Sequence, residues 1–96
     1  MLMQPLSLEE IKNNLDNLNG WFYLNNSIEK EYLLKSFADA LSFTVKIGIE
    51  AEKADHHPDI FIHSWNKVKI ILSTHSAGGV TTNDFKLAQT IDEIRK

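Results

Sequence analysis

The chain has 96 residues, of which 43% are apolar and 24% charged, with a net charge of −3 and no cysteine. These figures fit one globular domain over residues 1–96, and they exclude a disulfide scaffold, a thiolate metal site and a chain too polar to fold. The acidic balance argues against a nucleic-acid groove, no apolar run is long enough for a membrane span, and MLMQPLSLEE lacks the pattern of a secretory signal. A cytoplasmic protein with neither nucleic acid nor membrane as a direct partner is expected.

Ser7 and Glu10 have capping-box spacing, and Leu8, Ile11, Leu15 and Leu18 follow at helical intervals. A first helix is predicted there, closed by Asn19-Gly20. Trp21 to Leu24 and Ser27 to Leu33 flank Asn25-Asn26, the pattern of a hairpin with a two-residue turn. Glu29, Lys30 and Glu31 on the second strand predict an exposed place at a sheet edge. Ser36, with Asp39 three residues on, caps a long helix running to about Ala54.

The polar side of that helix is Asp39, Ser42, Lys46, Glu50 and Lys53. Its apolar arc is wider than the roughly 100° that one packing face needs. The extra width, in a chain with so small a core, predicts self-association, with Phe43 and Ile47 at the subunit contact. Glu52 stands inside the arc and is expected to be partly desolvated.

Pro58 disfavours helical backbone at His57, so the helix ends at or before the His56-His57 pair. Ile60 to Trp65 and Val68 to Thr74 read as strands joined by a short turn around Asn66. Ala77-Gly78-Gly79 breaks the pattern. Thr81 and Asp84 then start a last helix carrying Phe85, Leu87, Ala88, Ile91 and Ile94. The order α-β-β-α-β-β-α predicts an α+β fold, an antiparallel four-stranded sheet with three helices on one face.

Three of the four histidines stand at chain breaks: His56 and His57 at a forced helix end, His75 at a strand end. Histidine is the side chain best matched to proton exchange near neutral pH. Glu52, one helical turn before His56, could orient that imidazole or hold a substrate N–H, and Asp55 could serve instead. Each residue also has a plain structural reading. His63 reads as a solvated strand residue, Glu52 as a partner of Lys53 or Lys67, Asp84 as a helix cap and Trp21 as a core aromatic. Taken together, proton-capable groups at two chain breaks beside a carboxylate favour acid–base chemistry. A metal is not expected, because adjacent histidines in extended backbone point to opposite sides. No GxSxG, Walker loop or GxGxxG is present.

The stretch from Glu52 through Asp55, His56 and His57 to Pro58 resembles the signature of the pterin-4a-carbinolamine dehydratase family. Trp65, then His75 ten residues on, then Gly79-Val80-Thr81 and Asp84 continue the resemblance. Ser73-Thr74-His75 fits the family's strand end, and Gly20-Trp21 and the element order also fit. Ile60 departs from it, standing where many relatives carry a bulkier aromatic.

The resemblance implies loss of water from a 4a-hydroxytetrahydropterin to give the quinonoid dihydropterin, in pterin recycling and without metal or cofactor. It implies His56 and His75 as the acid–base pair and His57 as a substrate-binding residue. Glu52, Asp55, Pro58, Trp21 and Asp84 would complete the pocket, Glu52 holding the pterin edge. A homodimer or homotetramer is also implied. The family's second role, as dimerisation cofactor of a homeodomain transcription factor, supplies the alternative: a non-catalytic binding or assembly protein on the same fold.

Overall fold

Left-handed backbone at a few polar residues decides where the chain turns back on itself. The computed structural model describes residues 4–96. Residues 1–3, which open the segment read as lacking a secretory signal, lie outside that range. Helix α1 (Leu8–Leu15) begins with the expected Ser7–Glu10 capping box. It stops at the cap Asp16, earlier than Asn19-Gly20, and Leu18 packs against the core from the following turn.

Strands β1 (Phe22–Leu24) and β2 (Ser27–Leu33) form the predicted hairpin, with Asn25 at φ 50° and Asn26 at φ 63°. Both turn residues are left-handed, as a twisted two-residue hairpin requires. Helix α2 (Phe37–Ala54) ends where Asp55 takes φ 50°, one residue before the histidine pair. Strands β3 (Asp59–His63) and β4 (Lys67–Leu72) are joined through left-handed Ser64 and Trp65, so β3 stops short of Trp65, while β4 begins at Lys67 and ends at Leu72, before the predicted Thr74. After a short 3₁₀ turn, α3 (Thr82–Arg95) closes the fold.

The antiparallel sheet has the order β1-β2-β4-β3. The charged strand β2 is therefore central, not at an edge as its charges suggested. Alternation explains this: Glu29 and Glu31 point to the open face, where Glu29 meets Lys69 at 3.3 Å and Glu31 meets His63 at 2.5 Å. His63 is thus paired, and its ring stacks on Phe61.

The other face is apolar apart from Lys30, which is neutralised there by Asp92 at 2.8 Å. The register sets Ile28 opposite Leu72, Tyr32 opposite Val68 and Ile60 opposite Ile70. Against these pack Ala40, Phe43, Ile47 and Ala51 of α2, Phe85, Leu87, Ala88 and Ile91 of α3, and Ile11 of α1. Burying each larger side chain is worth about 1.5–3 kcal/mol. Phe43 and Ile47 spend their apolar surface inside this core, so they are not the subunit contact expected of them. The exposed apolar side of α2 is Phe37, Leu41, Val45 and Ile49, a ridge at four-residue spacing. Among the described residues, no helix is long and apolar enough to cross a membrane.

Candidate active site

Asp84 is the hub. It lies in the first turn of α3, completes a capping box with Thr81 and has no exposure to solvent. Its Oδ2 accepts from the Thr81 backbone N–H and from the Thr74 hydroxyl, each at 2.9 Å. Its Oδ1 faces Nε2 of His56 at 2.5 Å. A buried carboxylate without such partners would cost several kcal/mol, so this cluster is specified as a unit.

The end of α2 aims the histidine pair. With Asp55 left-handed, the His56 N–H reaches back to the Ala51 carbonyl at 3.1 Å. The backbone then runs out ahead of Pro58, and adjacent side chains diverge. The His56 side chain turns inward, 12% exposed, onto Asp84. His57 turns outward and meets Glu52 Oε1 at 2.7 Å, with the Glu52 side chain 78% exposed. Glu52 therefore partners His57 and not His56, and the desolvation expected of it is absent. Ala51 is the last inward residue of α2, and Glu52 is rotated about 100° away from it.

His75 opens the 3₁₀ turn His75–Ala77, which Gly78 closes at φ 75°. A bridge between Thr74 and Gly79 pins the base of this turn. His75 and His57 line one cavity of about 270 Å³, together with Asn25, Asn26, Asp59 and Ser73. His56 opens onto a separate depression of about 250 Å³ beside Glu50, Lys53 and Lys86. The cavity-lining residues other than histidine escaped sequence reasoning, because Asn25-Asn26 already had a complete explanation as a turn. Thr74 and Thr81 stood in the sequence as a strand end and a helix cap, and their burial beside Asp84 adds the contact with the site.

Asp55 is the exposed cap of α2 and Pro58 lies half-buried in the loop after it. Trp21 is not brought to the histidines. Its indole is buried and donates to Asp92 at 3.1 Å, in a second cluster where Asp92 also accepts from Lys30 and Tyr32. That cluster borders a hollow of about 870 Å³, larger than either histidine-lined cavity, and no histidine lines it. Among the described residues, no three His, Asp or Glu side chains gather closely enough to hold a metal ion.

The family model for pterin 4 alpha carbinolamine dehydratase matches residues 4–94. The chain belongs to that family. A carbinolamine dehydratase is a hydro-lyase, and that is the enzyme class of the chain. A candidate pterin-4-alpha-carbinolamine dehydratase from Roseiflexus sp. is 49% identical over 89 residues, covering 93% of this chain and 95% of the relative. A relative of the same name from Sulfolobus acidocaldarius is 43% identical over 94% of this chain and 98% of its own length.

Among solved structures, a transcriptional coactivator/pterin dehydratase from Brucella melitensis superposes with a TM-score of 0.92 at 34% identity. That match covers 97% of this chain and 100% of the other. A pterin dehydratase-like RuBisCO assembly factor of the alpha-carboxysome superposes at 0.62 with 19% identity, over 77% of this chain and 84% of that one, a likeness of fold alone.

Proposed function

We propose that the chain dehydrates a 4a-hydroxytetrahydropterin to the quinonoid dihydropterin, in the recycling of a pterin cofactor in the cytoplasm. The C4a–O bond breaks, one histidine delivers a proton to the departing hydroxyl, and another accepts the proton lost from a ring nitrogen. Water leaves, and no net oxidation occurs. His56 and His75 are the proton carriers, and His57 with Glu52 binds substrate. The observation that carries this reading is the Asp84 cluster. An imidazole oriented by a buried carboxylate is held in one tautomer and one direction, as a proton carrier must be. The His57–Glu52 pair is solvated on both sides and suits the recognition of ring N–H groups.

A second assignment has its own support. His57 and His75 share a cavity and His56 does not, so His57 would exchange roles with His56. Turnover of a synthetic 4a-hydroxytetrahydropterin, measured above its uncatalysed rate in water, tests the function under either assignment. A rate equal to the uncatalysed one would overturn it and leave a binding or assembly role on this fold.

The chain also self-associates, on this reading, through a second copy of α2. Phe37, Leu41, Val45 and Ile49 form a continuous exposed apolar ridge. A domain of this size has a thin stability margin, and pairing two such ridges removes apolar area from water on both copies. Light scattering that gives a monomer mass at micromolar concentration would refute it.

A further inference from the structure

We propose that Thr74 is a positioning residue that holds the two proton-carrying histidines in one unit, an inference resting on the function proposed above. Thr74 follows the apolar strand β4 and is 7% exposed, where a valine would fill the same space. Its hydroxyl is not needed to start α3, since Thr81 and Asp84 form that cap between themselves. Yet it makes two hydrogen bonds in the interior, to Asp84 Oδ2 at 2.9 Å and to Thr81 Oγ1 at 2.8 Å.

The direction of these bonds follows from counting protons. A hydroxyl has one, and Thr74 donates it to Asp84. Thr81 must therefore donate to Thr74, while its own oxygen accepts from the Asn83 N–H at 3.2 Å. Oδ2 of Asp84 is then occupied by the Thr74 O–H and the Thr81 N–H, and Oδ1 is turned toward His56 Nε2. With the carboxylate as acceptor throughout, the network assigns the imidazole hydrogen to Nε2 and the lone pair to Nδ1. Nδ1 is thus the atom of His56 that can take a proton.

The backbone of the same residue holds His75. The Thr74 N–H donates to the Gly79 carbonyl at 2.9 Å, and the Thr74 carbonyl accepts from the Ala77 N–H at 3.0 Å and the Gly79 N–H at 3.4 Å. The turn that begins with His75 is anchored on the backbone of this one residue. Side chain and backbone of Thr74 thus reach the two histidines by separate routes. A change in its hydroxyl bonding acts on His56 through Asp84 and leaves the His75 turn in place.

The test is Thr74→Val, with Thr74→Ser as the conservative control and His56→Gln to assign signals. Nitrogen-15 spectra of histidine-labelled resting protein should show His56 in the single tautomer protonated at Nε2. Thr74→Val should give a mixture of tautomers, and Thr74→Ser should restore one. On 4a-hydroxytetrahydropterin, Thr74→Val should lower kcat about 10–100-fold, the usual cost of removing a group that orients an active residue, with KM nearly unchanged. A lower melting temperature with His56 tautomer and kcat both intact would reduce Thr74 to a packing residue and overturn the proposal. Should Thr74→Val not fold, Thr74→Ala takes its place with the same expectations. Wild-type protein without turnover would refute the function, while the spectra still decide whether Thr74 sets the tautomer of His56.

Discussion

His56 Nε2 and Asp84 Oδ1 lie 2.5 Å apart, and this contact ties the end of α2 to the first turn of α3. Both elements pack on the same face of the sheet, and their ends converge on a carboxylate that water does not reach. The site is thus part of the fold's framework, not an addition to its surface.

Asp84→Ala should be among the costly substitutions. It would leave the Thr74 hydroxyl, the Thr81 N–H and the His56 ring without their acceptor in a buried setting. Each stranded group costs about 1–3 kcal/mol, so a total loss of about 2–4 kcal/mol is expected after relaxation. Urea unfolding measures it. A loss below about 1 kcal/mol would mean that water replaces the carboxylate and that the cluster is not a unit.

Glu52→Gln should behave in the opposite way. The side chain is 78% exposed and its pair with His57 is solvated, so the pair contributes about 0–1 kcal/mol. The melting temperature should stay nearly constant while KM for the pterin rises, if the carboxylate receives ring N–H groups. An unchanged KM would remove Glu52 from the site.

Much of this was legible in the chain itself, because local signals were strong and unopposed. Ser7, Ser36 and Thr81 mark three helix starts, and Asn25-Asn26 marks a hairpin, all by side-chain chemistry that acts within a few residues. Misreadings came where long-range partners decide. Glu29 and Glu31 looked like edge residues until Lys69 and His63 arrived from strands about thirty to forty residues away. Phe43 and Ile47 could be ranked as apolar from periodicity, but only the position of the sheet says which side of α2 faces inward. The histidines were visible as types at chain breaks. Which carboxylate serves which imidazole was not, because it depends on the divergence of two adjacent side chains.

Tyr32 makes stability depend on alkaline pH. Burial first, then its hydrogen bond to Asp92, raise the phenol well above its ordinary value near 10. The folded state therefore keeps a proton that the unfolded chain releases. The contribution is complete below about pH 10 and is lost as pH rises from there, at up to about 1.4 kcal/mol per pH unit. Tyr32→Phe should be less stable than wild type at pH 8, and the difference should shrink by pH 11 in urea titrations. A constant difference would show that the phenol ionises equally in both states.

Val45→Asp and Leu41→Asp should separate association from folding. Both side chains are exposed in the single chain, so neither substitution buries a charge in the domain core. Scattering mass should fall to that of the monomer while the far-ultraviolet spectrum is kept. An unchanged assembly would move the contact away from α2.

The histidine series decides the mechanism. An acid for the leaving hydroxyl and a base for the ring proton must act in the same passage, so two imidazoles share one barrier. His56→Ala and His75→Ala should each lower kcat by about 10²–10⁴-fold, the usual contribution of general acid–base catalysis. The double variant should be little worse than either single one, since groups acting as a unit are strongly non-additive. His57→Ala should act mainly on KM. His56 is also a structural partner of Asp84, so its replacement has a second effect that must be separated. His56→Gln, with an amide that can still reach the carboxylate, should recover stability but not kcat. The uncatalysed dehydration is subtracted before any ratio is taken. If His57→Ala lowers kcat and His56→Gln leaves it near that of wild type, the two neighbours exchange roles. The proton then passes between His57 and His75 across the cavity they share.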